Sequence, residues 1–203
     1  MKRSDWNRKY ADSALLWTAT PNRFLVAEVA ELPPGRALDL ACGEGRNAVW
    51  LAEQGWAVVG VDFADMALAK ARQLAAERGV DVELVDADLL EYVPQPLGYD
   101  LVCVLYLQLP AHERRTVLER AAAAAAPGGT LLLVAHDLEN LEHGHGGPSD
   151  PRLLFGAEEV AGELPGLELV KAERVRRPVD GAGRPAIDAL VRARRLPSLA
   201  DGV

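Results

Sequence analysis

Short apolar runs alternate with amphipathic stretches along most of the chain. Runs rich in valine and leucine, bounded by glycine, proline or aspartate, predict β-strands at residues 36–42, 56–62, 82–87, 99–106 and 130–136. Several of these runs are apolar at nearly every position, which is typical of strands buried on both faces of a parallel sheet. The pattern therefore predicts a sheet whose strands are mostly parallel.

The stretches between these runs have helical periodicity. Helices are predicted at residues 46–54, 65–78 and 111–126, with Gly79 and the Pro-Gly-Gly at 127–129 ending the second and third. The alanines at 121–126 continue the third helix in phase, which favours a closely packed helix. Strands and helices in alternation, joined by short connections, predict an α/β fold with a doubly wound sheet.

After residue 137 the pattern changes. Residues 138–150 contain three glycines and a proline, which predicts a mobile surface loop that could close as a lid. A short helix at 157–164 and two strands at 167–176 and 186–194 follow. The connection between these strands is too short for a helix, so the pair should be antiparallel.

The length of 203 residues predicts a single domain, 1–203. Within it we expect an N-terminal helical cap (1–34), a cofactor-binding core (35–137), a loop (138–156), and a helix with the antiparallel strand pair (157–196). The cap carries Trp6, Tyr10, Trp17 and Phe24. So many aromatic residues indicate that it folds over the open end of the sheet, where Tyr10 and Trp17 are candidates for contact with a substrate.

Composition narrows the class of protein. A net charge of -8 disfavours binding to nucleic acid. The basic first residues are not followed by an apolar stretch, and no segment is apolar enough to span a bilayer, which predicts a cytoplasmic protein without membrane association. The expected partner is a small molecule, and the expected state is a monomer or homodimer. Arginines at 174–195 indicate protected edge strands or, alternatively, a basic binding face.

The most informative stretch is Ala37-Leu-Asp-Leu-Ala-Cys-Gly-Glu-Gly-Arg-Asn-Ala48, which follows a predicted strand and begins a predicted helix. Gly43 and Gly45 allow a tight turn and close approach of a ligand. With Ala48 they also fit the G-x-G-x-x-A pattern of dinucleotide sites. Asp39 and Glu44, however, disfavour a pyrophosphate and favour a ligand that carries positive charge. Asp39 could alternatively serve only to accept from neighbouring backbone amides.

Two further acids follow at the ends of the next strands. Asp62 lies about twenty residues after the first glycine, the spacing expected for an acid that binds ribose hydroxyls. Phe63 and Met66 could lie beside an adenine ring, or could simply pack in the core. Asp88, with Asp86 as the alternative, could accept from the exocyclic amine of adenine.

These motifs resemble class I S-adenosylmethionine-dependent methyltransferases across nearly the whole chain. The resemblance is carried by Leu38 to Asn47, Gly60 to Phe63, Ala87 to Leu90, Tyr99 to Val102 and Ala126 to Leu131. It implies a Rossmann-like, seven-stranded sheet with one antiparallel strand near the C-terminus. It also implies a cofactor site that includes Asp39, Ala41, Cys42, Gly43, Gly45, Asp62, Asp88, Leu89, Val104 and Leu105. Phe63, Met66 and Ala87 are further candidates for this site from their positions beside these residues.

A finer resemblance concerns the methyl acceptor. Trp6 to Tyr10, Pro21-Asn22 and Gly43 to Asn47 are similar to tellurite-resistance and thiopurine methyltransferases, which implies a soft sulfur, selenium or tellurium acceptor. Transfer from a sulfonium needs a general base only when the acceptor is protonated. His136 is then the candidate base, and Tyr106 is a candidate for positioning the acceptor. His143 and His145 lack further ligands, so no metal is expected.

Three functions remain open on the sequence alone. The favoured one is an enzyme that transfers a methyl group from S-adenosylmethionine, with release of S-adenosylhomocysteine. The alternatives are a nicotinamide-dependent oxidoreductase and a non-catalytic protein that binds S-adenosylmethionine. Because the acids near Gly43 and Gly45 oppose a diphosphate, the oxidoreductase is the less favoured of the enzymes.

Overall fold

The computed structural model describes residues 2–12, 15–16 and 18–197, which divide into two compact units. The first unit ends at Val93 and the second begins at Pro94. None of the helices within the described ranges is long and apolar enough to cross a membrane.

The first unit is a three-stranded parallel sheet with four helices. Its elements are α1 (Arg3–Ala11), α2 (Arg23–Val29), β1 (Arg36–Leu40), α3 (Arg46–Glu53), β2 (Ala57–Asp62), α4 (Asp65–Arg78) and β3 (Glu83–Asp86). Strand β2 lies between β1 and β3 and is parallel to both. The buried valines at 58, 59 and 61 explain why this central strand forms, because β-branched side chains suit a sheet covered on both faces.

Asn22 and Asn47 join the N-terminal segment to helix α3. The Asn22 side chain accepts from the amides of Phe24 and Leu25 and so caps α2. Its own backbone amide donates to Asn47 Oδ1 at 2.8 Å. Both asparagines are buried, so these bonds replace water that the groups lose on folding.

The second unit is a four-stranded mixed sheet with three helices. Its elements are β4 (Tyr99–Leu105), α5 (Ala111–Ala124), β5 (Ala125–His136), α6 (Asn140–His143), a 3₁₀ turn (Pro151–Leu153), α7 (Ala157–Ala161), β6 (Glu168–Arg177) and β7 (Ala186–Arg194). Strands β4 and β5 are parallel, whereas β7 is antiparallel to both β5 and β6. Leu131, Leu132, Leu133 and Val134 of β5 are almost fully buried and form the centre of this core.

The predicted fold class is confirmed. The described residues form a mostly parallel, seven-stranded mixed sheet, and β7 is its antiparallel strand. One boundary differs. We predicted a helix up to residue 126 and a strand from 130, but α5 ends at Ala124 and β5 begins at Ala125. Tyr99 pairs with Ala125, and a register shift then brings Leu101 opposite Thr130, so the strand starts before the glycines.

The segment predicted as a loop at 138–150 contains helix α6. Asn140 fastens this segment, because its Nδ2 donates to the Gly146 carbonyl and its Oδ1 accepts from the Ile187 amide at 2.7 Å. The neighbouring glycines concealed this helix from pattern analysis, since they weaken helical propensity. Closure as a lid and the boundaries of the predicted domain parts stay predictions.

Candidate functional site

The glycine loop between β1 and α3 has a backbone that only a few residue types tolerate. Ala41, Gly43 and Gly45 all have positive φ, at 61°, 54° and 81°. A Cβ placed on Gly45 would lie 2.7 Å from the Ala71 Cβ of helix α4. Glycine is therefore required at residue 45 both for its conformation and for the close approach of α4. Ala41 in the left-handed region carries backbone strain, which is common at functional sites.

Asp39, at the end of β1, is a buried carboxylate that lacks hydrogen bonds. It is 1% exposed, and neither oxygen has a hydrogen-bond partner among the described residues. Burial raises its pKa to about 7, the nearby Arg46 guanidinium opposes this, and Asp62 adds to it. The Ala48 amide also favours the charged form, but its geometry falls short of a hydrogen bond. Asp39 is thus suited to a cationic partner and is not occupied by neighbouring amides.

Glu44 requires a correction. The sequence predicts that a ligand at the loop meets the carboxylates of Asp39 and Glu44, but the Glu44 carboxylate is compensated. Glu44 Oε1 lies 3.0 Å from Lys70 Nζ and accepts from the Leu16 amide at 2.9 Å. The negative potential at the loop therefore comes from Asp39 and Asp62. Nothing in the sequence near Glu44 indicates Lys70, which lies 26 residues away on α4.

Asp62 closes the glycine loop against the end of β2. Its carboxylate accepts from the amides of Gly43 and Ala64, each at 2.9 Å. Burial raises its pKa, while these amides favour the charged form. A carboxylate has about four acceptor positions, so the two amides leave capacity for hydroxyl donors. Binding of ribose by Asp62 stays a prediction that this geometry permits.

The residues predicted to contact adenine lie after β3. Asp88 Oδ1 accepts from the Leu90 amide at 2.9 Å, and the Ala87 amide donates to the Asp62 carbonyl at 3.1 Å. Leu89 is buried. The alternative residue, Asp86, is paired with Arg3 at 2.9 Å. Asp88 is therefore the better placed of the two acids.

The other predicted residues of the first unit differ in burial. Phe63 is partly buried with the Arg3 guanidinium 6.0 Å from its ring, while Met66 is 40% exposed. Cys42 is buried, and burial raises the pKa of its thiol further, so the thiol stays protonated. These positions can offer apolar contact, and Cys42 does not offer a thiolate.

Helix α1 covers the glycine loop. A Cβ on Gly43 would lie 3.0 Å from the Tyr10 hydroxyl oxygen. Trp6 stacks on Tyr10 with ring centroids 5.7 Å apart, and Lys70 Nζ donates to the Tyr10 carbonyl. Tyr10 thus lies against the loop, and its contact with a substrate stays a prediction. Trp17 lies outside the described residues.

In the second unit, four polar side chains meet at the carboxyl ends of β4 and β5. We refer to Tyr106, His136, Arg177 and Asp188 as the β7 polar cluster. Tyr106 donates its hydroxyl to Asp188 Oδ2 at 3.0 Å and accepts from Arg177 Nε at 3.1 Å. Arg177 Nε also donates to Asp188 Oδ2 at 2.9 Å. His136 Nδ1 lies 3.2 Å from Asp188 Oδ1.

The sequence indicated His136 and Tyr106 but not Asp188 or Arg177. In the sequence, His136 ends an apolar strand and Asp188 interrupts one. The antiparallel register that places these two residues opposite each other cannot be read from the sequence pattern. Val104 and Leu105, predicted to line the pocket floor, are buried on β4. His143 and His145 are exposed, and the described part of the chain holds no group of three metal-ligating side chains.

Part of the chain, including the glycine loop, is similar to known methyltransferases. Residues 37–129 match the family model described as a methyltransferase domain. The chain is 35% identical over 111 residues to ribosomal RNA small subunit methyltransferase C of Alcanivorax borkumensis, covering 51% of this chain and 33% of that protein. It is 34% identical over 110 residues to the 2-heptyl-1-hydroxyquinolin-4(1H)-one methyltransferase of Mycobacteroides abscessus, covering 51% and 47%.

A solved structure gives the same result for the fold. The N-methyltransferase NodS of Bradyrhizobium japonicum, crystallised with S-adenosylhomocysteine, matches with a TM-score of 0.71 and 21% identity over 95% of this chain and 97% of that one. Our chain spans a third to a half of the length of the two curated relatives. The chain thus has the Rossmann-like fold of this methyltransferase. Within it, residues 37–129, a little under half of the chain, are similar to a methyltransferase domain.

Proposed function

We propose that this chain transfers a methyl group from S-adenosylmethionine to a small-molecule acceptor and releases S-adenosylhomocysteine. The observation that carries the proposal is Asp39, a buried carboxylate without hydrogen bonds at the start of the glycine loop in a methyltransferase domain. Burial disfavours the charged form of Asp39 although the Arg46 guanidinium is nearby, so a cation that reaches this carboxylate stabilises its charge. S-adenosylmethionine carries an ammonium and a sulfonium, whereas NAD carries a diphosphate.

The chain's own residues account for the remaining parts of this ligand. Asp62 retains acceptor capacity for ribose hydroxyls, and Asp88 with Leu89 offers a carboxylate and an apolar surface for adenine. Phe63 and Met66 supply further apolar contact. Gly43 and Gly45 keep the loop free of side chains where the methionine part would lie.

Catalysis in this proposal depends mainly on positioning. The bound cofactor supplies a methyl carbon that its sulfonium already activates. The protein then has to hold the acceptor atom in line with the carbon–sulfur bond at about 3 Å and exclude water. No protein nucleophile is needed for such a transfer.

Two kinds of acceptor atom fit this reaction. The motifs shared with tellurite-resistance and thiopurine methyltransferases favour a soft sulfur, selenium or tellurium atom, which needs little help from a base. The β7 polar cluster favours an acceptor that starts protonated, such as a hydroxyl. The two curated relatives bear the names of ribosomal RNA and hydroxyquinolone methyltransferases, so membership of the family does not select the acceptor.

Calorimetry with S-adenosylmethionine, S-adenosylhomocysteine and NAD tests the proposal. We expect both adenosyl ligands to bind and NAD not to bind. Asp39→Asn should lower the affinity for S-adenosylmethionine by about tenfold or more, because it removes a charge-assisted contact. The matched control is Asp81→Asn, which neutralises an exposed carboxylate of the same unit. Binding of NAD would support the oxidoreductase instead.

Release of S-adenosylhomocysteine then tests turnover. The assay uses a panel of thiols, selenite, tellurite and phenols with S-adenosylmethionine at saturation. Binding of the cofactor without product from any acceptor would favour the non-catalytic binding protein.

A further inference from the structure

Asp188 is the centre of the β7 polar cluster. It lies on β7 directly opposite His136 of β5 and is 0% exposed. Oδ2 accepts from the Tyr106 hydroxyl and from Arg177 Nε, while Oδ1 lies 3.2 Å from His136 Nδ1. The Nδ1–Oδ1 distance suits a shared proton, although the present angle falls short of a hydrogen bond. Three side chains from three other strand ends thus converge on one buried carboxylate.

The protonation states follow from these contacts. Burial by itself raises the pKa of Asp188, but His136 and Arg177 outweigh this and lower it, so Asp188 stays ionised. Burial raises the pKa of Tyr106 to about 12, with the Asp188 charge adding to the effect, so the phenol stays protonated. Tyr106 can therefore donate a hydrogen bond but cannot serve as a base near neutral pH.

The two ring nitrogens of His136 have different surroundings. Nδ1 faces Asp188 and is buried. Gly147 lies over the face of the ring, since a Cβ there would be 2.9 Å from Cγ and Cδ2 and 3.0 Å from Nδ1. The His136 side chain is 13% exposed, and Nε2 makes no hydrogen bond to any residue that the structure describes. Nε2 is therefore the ring nitrogen that does not face Asp188.

Backbone strain occurs at the same place. Tyr106 directly follows β4 with φ of 59°, a left-handed conformation that costs about 1–2 kcal/mol for a residue with a side chain. Strain of this kind persists where the surroundings require a side chain in one place. The Tyr106 ring lies 4.9 Å from the His136 ring, so the strained residue packs against the imidazole.

We propose that Asp188 is a positioning residue that holds His136 with Nδ1 protonated, so that Nε2 removes a proton from the methyl acceptor. This proposal rests on the proposed function. It assigns the acceptor to the class of hydroxyl compounds of phenol or enol type, which carry that proton at neutral pH. Arg177 and Tyr106 hold the carboxylate in place through its other oxygen.

The acceptor oxygen forms a bond to the methyl carbon while the carbon–sulfur bond of the cofactor breaks, with its electron pair going to sulfur. The oxygen's proton moves to His136 Nε2, and the resulting imidazolium is stabilised by the Asp188 carboxylate. Loss of that proton to solvent restores the base. A thiolate or tellurite acceptor carries no such proton and would not use the pair.

The first test reads the histidine tautomer in the whole chain. Long-range ¹H–¹⁵N correlation spectra of ¹⁵N-histidine-labelled protein at pH 8, with His136 assigned through His136→Gln, should show the proton on Nδ1. Asp188→Asn should move it to Nε2, because the amide can donate to Nδ1. The matched control is Asp137→Asn, which alters the next residue along the chain, a buried carboxylate that is paired with Arg174 and makes no hydrogen bond or ion pair with the imidazole. An Nδ1 proton retained in Asp188→Asn would overturn the proposal.

The second test separates the acceptor classes by kinetics. Asp188→Asn should lower kcat for a catechol or hydroxyquinolone acceptor by about 100-fold or more with little change in KM. Turnover of thiophenolate or tellurite should change less than about threefold. Equal losses on both classes would indicate a merely structural role and overturn the proposal.

A third variant covers the case in which Asp188→Asn does not fold. Gly147→Ala places a methyl group against the imidazole without removing any member of the cluster. It should reduce turnover of the hydroxyl acceptors alone, and full activity with a displaced ring would again overturn the proposal. Failure of S-adenosylmethionine to bind the wild-type chain would instead refute the proposed function, whereas the tautomer result stands independently of it.

Discussion

The two units of the molecule present their functional groups in opposite ways. In the first unit, the candidate cofactor residues follow one another closely along the chain, and each group ends a strand of a small parallel sheet. In the second unit, the β7 polar cluster draws on residues 106, 136, 177 and 188, which meet only through strand pairing. The proposed recognition of the cofactor thus depends on residues that are close in sequence, while the proposed acceptor chemistry depends on tertiary structure.

The largest expected effect is on the stability of the second unit. Its free energy of unfolding should depend on ion pairs between elements that are far apart in sequence. Arg114 of α5 is buried and bonds Glu163 at 3.0 Å and Glu159, with its guanidinium over the Phe155 ring. Arg114→Ala leaves Glu163 buried without its main partner and should cost about 3–5 kcal/mol. Urea denaturation measures this loss.

Arg115→Ala is the matched control for Arg114. Arg115 contacts the same Glu163 oxygen at 3.0 Å but is mostly exposed, so its loss should cost less than about 1 kcal/mol. Equal losses of unfolding free energy in the two variants would contradict the argument that burial strengthens the ion pair of Arg114.

The next effect concerns the glycine loop. Gly45→Ala combines left-handed backbone strain with a contact to Ala71 that is too short, and should cost about 2–5 kcal/mol. Gly79→Ala has similar strain at φ of 66° but open space around its Cβ, so it should cost only about 1–2 kcal/mol. Thermal unfolding of both variants separates strain from packing, and equal shifts would contradict the packing argument.

A moderate effect is expected at the ribose position. Asp62→Ala should make the binding free energy of S-adenosylmethionine less favourable by about 1–3 kcal/mol, because charge-assisted hydrogen bonds are lost. Part of the loss would arise from the Gly43 amide, which Asp62 also holds. Adenosine binding in the same calorimeter isolates the nucleoside contribution, and unchanged affinity for both ligands would remove Asp62 from the site.

The smallest effect is a pH dependence. Because burial raises the pKa of Asp39 to about 7, affinity for S-adenosylmethionine should rise by about eightfold between pH 6.0 and pH 7.5 as Asp39 ionises. The apo protein should respond in the opposite direction. A carboxyl whose pKa is raised by folding lowers stability as pH rises from its unfolded value towards 7. Both trends should flatten in Asp39→Asn, as titration calorimetry and thermal melts can show.

The same contrast explains how far the sequence could predict the molecule. The alternation of apolar runs and amphipathic helices was sufficient for the fold class and for the order of the elements, since each signal lies within a short window. The glycine loop was recognisable because its glycines and Asp39 are adjacent. The compensation of Glu44 by Lys70 could not be seen, because it depends on how α4 packs beside the loop.

The β7 polar cluster marks the limit of sequence reasoning. Asp188 stands in an ordinary strand, Ala-Ile-Asp-Ala-Leu-Val, where a lone acid would usually face solvent. Only the antiparallel register between β5 and β7 places it against His136. Arg177 gave no signal either, since arginines recur throughout β6 and were predicted to protect an edge.

Lys70 has a practical consequence for anyone preparing this protein. One ammonium group joins the Tyr10 carbonyl on α1 to the carboxylate of Glu44, and Tyr10 also lies against Gly43. Trimming the first dozen residues, or fusing a bulky tag to them, would leave that cation and Glu44 to rearrange. If a shortened chain then failed to bind S-adenosylmethionine, the cause would be a disturbed glycine loop. It would not show that the removed residues bind the methyl acceptor.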